Sequence, residues 1–311
     1  MATILISGGT GMIGSALQKF LVEKGHEAII LVRPQSRSKI KNSDAHVTYA
    51  DWNVESGEID REAIEKADHV VHLAGANVGE KRWTKKRKKE IIESRTKSSA
   101  LLVRAMSEIP NNIKTVISAS GVGWYGPDSK ESKQKGFTEN APAFNDFLGQ
   151  TCKQWEASIQ PVTSLNKRLV TFRFGIVLSE GGGALEEFKK PLKFGIATIL
   201  GNGKQVISWI HIYDLCRLIL FAIDNEKLDG VYNAVTPKPV SNKDLVLLLA
   251  KKIRSKSFIP VHVPVFALRW ALGEMSVEVL KSTTVNDEKI QKAGFTFLYP
   301  SIEAALENLR L

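Results

Sequence analysis

Three glycines spaced three apart, Gly8, Gly11 and Gly14, set the run Gly8-Gly9-Thr10-Gly11-Met12-Ile13-Gly14. The apolar stretch Ile4-Leu5-Ile6 precedes it, and Ala16, Leu17, Phe20 and Leu21 follow at the spacing of one helix face. A glycine turn between a strand and a helix is a way to bind phosphate. Gly8 lets the chain turn sharply, Gly11 removes a side chain where a pyrophosphate must approach the backbone, and Gly14 lets the helix pack closely on the strand. The first helical turn, around Thr10, Met12 and Ile13, then presents free N–H groups and the positive end of the helix dipole. The chemistry indicated is dinucleotide binding; a tight turn that binds nothing is the plain alternative.

The kind of dinucleotide is decided at the end of the second strand, where an acid would bond the ribose diol of NAD. Here the chain reads Leu31-Val32-Arg33-Pro34, with Arg33 19 residues after Gly14. A guanidinium following Val32 pairs with a 2′-phosphate and leaves a free diol without an acceptor, which favours NADP(H) over NAD(H). Arg37 can assist; a solvated surface arginine is the competing reading of Arg33. Asp51 and Trp52, after a weak third strand, are placed to meet the adenine. Leu73-Ala74-Gly75 ends the fourth strand with small residues against which a ligand can lie. Packing explains each of these two segments equally well alone, and their order along the chain strengthens them together.

These residues resemble the extended short-chain dehydrogenase/reductase superfamily, the NAD(P)-dependent epimerase/dehydratase group. Gly8 to Gly14 is similar to its cofactor loop and His72-Leu73-Ala74-Gly75 to its fourth-strand motif. Ser118-Ala119-Ser120-Gly121-Val122-Gly123-Trp124-Tyr125-Gly126 is similar to its serine segment, and Trp209-Ile210-His211-Ile212-Tyr213-Asp214 to its Val-His-x-x-Asp element. More narrowly, Arg82-Trp83-Thr84, Trp155-Glu156, Arg173-Phe174-Gly175-Ile176-Val177-Leu178 and the stretch from Arg269-Trp270 to Gly273-Glu274-Met275 resemble one branch. That branch is an epimerase family with a C-terminal domain of unknown function, sometimes labelled nucleoside-diphosphate-sugar epimerase or cell-division-inhibitor homologue. The resemblance implies a Rossmann fold, cofactor contacts that extend to Phe174 and Ile176, and a small-molecule substrate such as a nucleotide sugar.

One departure bears on mechanism. Typical members use Tyr-x-x-x-Lys, in which the lysine and the cofactor ribose lower the tyrosine pKa so that it exchanges a proton with the substrate hydroxyl. The tyrosines here, Tyr49, Tyr125, Tyr213, Tyr232 and Tyr299, are followed four residues on by Asn53, Ser129, Arg217, Thr236 and Glu303. The pair is absent, and Leu148 and Cys152 fall at its two places. Ser118, Ser120 and Tyr125 remain as catalytic candidates at a strand end, where ligands bind in open α/β sheets. The alternatives are strand-end backbone caps for the serines and a pocket wall for Tyr125. Lys153 reads as a solvated helix residue, His211 as a core histidine and Cys152 as inert packing.

The elements that must position these residues are legible as periodicity. Short apolar runs at 3 to 7, 28 to 32, 69 to 73, 115 to 119 and 169 to 174 read as strands buried on both faces. Helix-like segments lie between them, near 12 to 24, 60 to 67, 84 to 107 and 145 to 160. This alternation predicts an α/β fold, a Rossmann-type doubly wound parallel sheet. The expected division is an NADP(H)-binding Rossmann domain over 1–175, to which a strand near 231–234 returns, and a smaller substrate-binding C-terminal cap over 176–311. Within the cap, Gly201-Asn202-Gly203 suggests a hairpin. Ser241 to Asp244 forms a capping box opening a helix to Ile253, and a last helix follows Ser301.

Composition bounds the rest. The 311 residues are 43% hydrophobic and 24% charged, the balance of a soluble folded protein. The two cysteines, Cys152 and Cys216, have no metal-ligand spacing, so no metal site is expected, and a reducing, cytoplasmic compartment is. No signal-peptide pattern opens the chain, and its apolar stretches fall short of the roughly 20 residues of a membrane span. The net charge of +10 is spread along the chain except for seven cations between Lys81 and Lys89. That run reads as a solvated helix face, not a nucleic-acid site, with Arg82 as a contact for the cofactor or an anionic substrate. The expectation is an NADP(H)-dependent oxidoreductase or epimerase with a small-molecule partner and neither nucleic acid nor membrane, self-association into a homodimer being left open. A cofactor-binding sensor or scaffold that has lost catalysis is the alternative.

Overall fold

Buried β-branched and leucine runs build the central layer of the computed structural model, which describes residues 1–37 and 44–311. Its strands are β1 (Thr3–Ser7), β2 (Glu27–Val32), β3 (Val47–Asn53), β4 (Glu58–Ile59), β5 (His69–His72), β6 (Thr115–Gly121), β7 (Arg168–Phe174) and β8 (Gly230–Ala234). They form an 8-stranded sheet in the order β8-β7-β6-β5-β1-β2-β3-β4. All pairings are parallel except that of β3 with the short edge strand β4. The chain crosses one way from β1 to β2 and the other way to β5, so β1 marks the switch point where ligands of such sheets lie.

Alternate residues of β1 feed different cores, as the pleat requires. Ile4 and Ile6 pack with Leu17, Phe20 and Leu21 of the helix Met12–Glu23 and with Leu215, Leu218 and Ile219 of the helix Ile212–Asp224. Leu5 faces the opposite way, onto Ile64, Leu101, Leu102, Met106 and Ile159, from the helices Arg61–Lys66, Lys85–Glu108 and Phe147–Ile159. Each such buried side chain contributes roughly 1.5–3 kcal/mol, so a polar residue at Leu5 or Ile6 would break the layer. The layer also draws on residues beyond 175, since β8 pairs with β7 and the helix Ile212–Asp224 covers one face.

A third core, built on Leu185, Leu192, Trp209, Leu245, Leu249, Ile302 and Leu306, holds the rest of the C-terminal half. Ser241 caps the helix Asn242–Arg254 by accepting from the Asp244 N–H, and Ser301 caps the helix Ile302–Asn308. The hairpin expected across Gly201-Asn202-Gly203 does not form. Gly201 (φ +56°) and Gly203 (φ +73°) do turn the chain. The flanking strands take other partners: Ile196–Leu200 pairs with Ile259–Val263, and Val206–Ile207 with Val240–Ser241. Among the described residues no helix is long and apolar enough to cross a membrane.

Candidate cofactor and active site

The three motif glycines differ in what surrounds them. Gly8 has φ +74°, and a Cβ there would lie 2.8 Å from the Leu73 carbonyl carbon and 2.9 Å from the Ala74 nitrogen. A Cβ at Gly14 would stand 2.4 Å from the Gly8 oxygen. Gly11 is the least enclosed of the three: it is exposed, and a Cβ there would meet only the Gly8 oxygen, tightly, at 3.3 Å. The helix Met12–Glu23 starts at Gly11 with no side-chain cap. Its first-turn N–H groups therefore face an exposed surface beside Thr10, with Met12 and Ile13 half-buried. Such a cradle fits an anion such as the pyrophosphate of a dinucleotide, because uncapped N–H groups at a helix N-terminus stand at an exposed surface beside a residue without a side chain. The Gly182-Gly183 turn borders the same rim, a Cβ at Gly183 falling 3.0 Å from Met12 Sδ. In the sequence, Gly181-Gly182-Gly183 reads as a glycine-rich loop and is one of the motifs similar to the epimerase branch.

Beneath the cradle lies a buried polar chain. Ser7 Oγ is 2.6 Å from His72 Nδ1, and His72 Nε2 is 3.1 Å from Ser99 Oγ and 3.3 Å from Ser98 Oγ. Ser98 and Ser99 donate their own protons to the Ser94 and Arg95 carbonyls, so both accept from His72 Nε2–H. That leaves Nδ1 as the acceptor and Ser7 as its donor. Burial, aided by the Arg95 charge, pushes His72 down to about 3, so the ring is neutral. Helix Lys85–Glu108 is thereby joined to the ends of β5 and β1. It also reaches the following loop, where Ser94 accepts from the Ala76 N–H and Arg95 donates to the Ala76 carbonyl.

The other expected cofactor contacts lie as follows. Arg33 is exposed at the end of β2, just past buried Val32. Arg37 pairs with Asp51 at 3.1 Å near the surface. Trp52 is only 5% exposed and packs in the core with Ile64 and Leu102, so its indole has no free face for an adenine. Leu73 and Ala74 are half-buried and Gly75 exposed, with the Arg95 guanidinium behind Gly75. Arg82 donates through Nη2 to the Trp270 carbonyl at 2.6 Å and is taken up by the C-terminal segment. Phe174 is half-buried at the end of β7, and Ile176 is exposed next to it. Within the basic run Arg87 turns inward onto the Asn77 carbonyl, Glu80 and Glu90, while Lys81, Lys85, Lys86 and Lys89 stay exposed.

The three catalytic candidates are all buried. Ser118 Oγ donates to the Ala119 carbonyl at 3.3 Å, and Ser120 donates to Glu156 Oε1 at 2.7 Å. The Tyr125 hydroxyl donates to Asn233 Oδ1 at 2.6 Å and accepts from Arg173 Nη1 at 3.0 Å, and its ring stacks on Phe137. Burial pushes this phenol up to about 12, against the pull of Arg173. Arg173 in turn grips both Glu156 oxygens, at 2.8 and 2.9 Å, and lies 3.6 Å from the Trp124 ring centre. Ser120, Trp124-Tyr125, Glu156 and Arg173 thus meet in one network that ties the loop after β6 to β7 and, through Asn233, to β8. Its hydroxyls are spent internally, so none faces a ligand as it stands.

At the two places of the missing pair, Leu148 packs against Gly123 and Cys152 Sγ lies 3.6 Å from the Gly121 carbonyl. Burial, reinforced by Glu156, raises the Cys152 thiol to about 11. Lys153 is exposed. His211 accepts the Tyr213 N–H through Nδ1, capping its helix, and burial lowers it to about 4. A charged cluster that sequence reasoning missed lies beside the same loops. Lys281 Nζ is 2.8 Å from Glu278, 3.7 Å from Asp146 and 3.3 Å from the Tyr125 carbonyl. Asp146 also caps the helix Phe147–Ile159. No group of acids, histidines and cysteines among the described residues is arranged to hold a metal.

The model of the NAD dependent epimerase/dehydratase family matches residues 4–146, and that of a domain of unknown function, DUF1731, matches residues 263–309. An epimerase family protein of Mycobacterium leprae is 35% identical over 306 residues, covering 98% of this chain and 94% of that protein. One of Staphylococcus saprophyticus is 37% identical, covering 99% of each. The crystal structure of human epimerase family protein SDR39U1 (isoform 2) with NADPH superposes with a TM-score of 0.81 at 28% identity, covering 99% of this chain and 100% of that one. With its open glycine cradle on a doubly wound sheet, its matching family models and these full-length relatives, the chain belongs to the epimerase family of the NAD-dependent epimerase/dehydratase group that carries a C-terminal DUF1731 domain.

Proposed function

We propose that the chain binds NADP(H) along the carboxyl edge of β5, β1 and β2 and acts as an oxidoreductase or epimerase on a small substrate such as a nucleotide sugar. The observation that carries this reading is the contrast among the glycines. Backbone closes Gly8 and Gly14 on several sides, whereas Gly11 is exposed at an uncapped helix N-terminus with only the Gly8 oxygen close to where its Cβ would stand. The first-turn N–H groups would hold the pyrophosphate, and Arg33, exposed past Val32, would pair with a 2′-phosphate. Arg37, fastened to Asp51, would flank it. Leu73, Ala74, Phe174 and Ile176 would line the path to the nicotinamide. When bound, NADP(H) supplies hydride exchange at the nicotinamide C4; the chain orients the reactants and excludes water. The human relative's structure with NADPH supports the choice of cofactor. A cytoplasmic setting belongs to the same reading, Cys152 and Cys216 being free and buried.

Calorimetric titration with NADPH and NADH tests the cofactor. A charge-assisted pair contributes roughly 1.5–3 kcal/mol, so NADPH is expected to bind about tenfold to a hundredfold tighter. Arg33→Ala is expected to erase the difference, and NADH binding as tightly as NADPH would sink the role of Arg33. A second reading, an NADP(H) sensor or scaffold without turnover, is favoured by the burial of Ser120 and Tyr125 and by Leu148 and Cys152 at the places of the missing pair. Reproducible conversion of any member of a sugar-nucleotide and carbonyl panel, read as NADPH oxidation for a reductase or as epimerised product without net cofactor change for an epimerase, rejects it; tight binding with no conversion across the panel retains it.

A further inference from the structure

Two motifs that the cofactor reading leaves unused, Arg82-Trp83-Thr84 and Arg269 to Met275, touch each other. The segment between Val263 and Lys281 is tied down at both ends. At the first, the Gly201 N–H donates to the Val263 carbonyl at 2.9 Å and His262 donates through Nδ1 to the Gly201 carbonyl at 2.8 Å. At the second, Lys281 bridges Glu278, Asp146 and the Tyr125 carbonyl, and Asp128 accepts from both the N–H and the hydroxyl of Thr284. Between these anchors the helix Val265–Leu272 buries only Leu268, with Phe266 76% and Trp270 82% exposed. This helix and the turn that follows it are tied to the Rossmann domain by Arg82 to the Trp270 carbonyl and by Lys88 to Glu274.

The position of those ties is informative. Arg82 lies in the loop that continues from Leu73-Ala74-Gly75, of which Leu73 and Ala74 pack against Gly8 of the cradle. Lys88 stands in the first turn of the helix whose later turns hold Ala76 and His72. The far anchor rests on the loop after β6. The segment therefore crosses the carboxyl rim over β5 and β6, next to the switch point. A stretch held by two partly exposed polar contacts and by buried Leu268 and Ser276 alone opens more easily than the layer beneath it. Gly273, with φ +61° and the Arg82 guanidinium against it, lies between the two contacts.

We propose that Arg82 and Lys88 are positioning residues that hold Val265–Leu272 as a strap over the carboxyl rim of β5 and β6, beside the β1–β5 crevice, and so slow the escape of the dinucleotide bound there. This rests on the NADP(H) reading. The test combines hydrogen exchange over residues 264–275, with and without NADPH, and stopped-flow NADPH release from wild type, Arg82→Ala, Lys88→Ala and the exchanged pair Lys88→Glu with Glu274→Lys. The strap is expected to exchange at least about tenfold more slowly with NADPH bound, and each single variant to release NADPH about tenfold faster at an unchanged melting temperature. The exchanged pair is expected to restore slow release, which a general loss of packing would not do. NADPH that binds without protecting 264–275, or leaves both single variants at the wild-type rate, overturns the strap alone. Wild type that fails to bind NADPH overturns the cofactor reading and removes the strap's ligand with it.

Discussion

Ser7 Oγ and His72 Nδ1 lie 2.6 Å apart, fully buried, directly beneath the contact between Gly8 and Leu73. Because Ser98 and Ser99 accept from Nε2–H, the ring is held in one neutral tautomer. The folded pKa is about 3 against an ordinary 6.5. Between those values the unfolded chain binds the extra proton and the folded chain does not, so stability rises with pH up to about 6.5 and is lost as pH falls below it. The slope from this residue is about 1.4 kcal/mol per pH unit, or about 2 kcal/mol between pH 6.5 and 5. His211, lowered to about 4, acts with the same sign. Urea unfolding at about pH 7 and about pH 5 should show this loss in wild type and a smaller one in His72→Asn. Equal losses in the two proteins would rule out His72 as a source.

The Glu156–Arg173 pair, with side chains 13% and 3% exposed, predicts strong coupling. Arg173→Met leaves a carboxylate with little solvent, and Glu156→Gln leaves a guanidinium without its anion. Each is expected to cost roughly 3–5 kcal/mol, and the double variant less than the sum. A double-mutant cycle by urea unfolding measures the coupling. Additive single effects would show that the pair is not a unit.

Tyr125→Phe distinguishes a structural phenol from a catalytic one. Asn233 and Arg173 would each lose a buried partner, at a cost of roughly 1–3 kcal/mol. NADPH affinity should stay within about twofold of wild type, because the hydroxyl is spent inside the network. A stable Tyr125→Phe protein whose NADPH turnover is abolished would restore the phenol as a proton donor.

Thiol chemistry gives a direct check on the helix that lacks the expected pair. Burial holds Cys152 at about 11 and Cys216 at about 12, and the two are only 7% and 2% exposed. Neither should react with a disulfide reagent near pH 8 in the native protein, and both should react once unfolded in urea. Rapid native labelling of Cys152 would mean that its place on the helix opens to the cleft.

The strand layer and the cradle were legible because their signals are local. A continuous apolar run such as Ile4-Leu5-Ile6 can be buried on both faces only in a covered sheet, and a glycine spacing reports its own turn. What escaped was partner choice. Residue type does not say which way Tyr125 or Trp52 points, and both went inward because Asn233, Arg173 and the β3 core offered them partners. The Lys281–Asp146 contact and the Arg82–Trp270 contact join residues far apart in the chain, which no local pattern encodes. The hairpin expectation failed for the same reason: Gly201 and Gly203 set the turn, but Ile259–Val263 competed for the strand.

Two glycines of the same motif should fail in different ways. Gly14→Ala would force a Cβ to 2.4 Å from the Gly8 oxygen, a contact between backbone atoms that cannot rotate away. It is expected to cost roughly 1–3 kcal/mol or more in stability and to disorder the cradle, so that NADPH binding is lost with it. Gly11 has φ −78°, which alanine adopts freely, and only the Gly8 oxygen at 3.3 Å would be near its Cβ. Gly11→Ala should therefore cost less than Gly14→Ala, roughly 0.5–1 kcal/mol, the Gly8 oxygen having to give by only a little. Its methyl group would nonetheless fill the space of the phosphate, and NADPH affinity should fall at least about tenfold. Urea unfolding and calorimetry on the two variants separate folding from binding. Wild-type affinity in a stable Gly11→Ala protein would mean that the pyrophosphate does not approach the backbone there, and the cradle would have to be placed elsewhere on the rim.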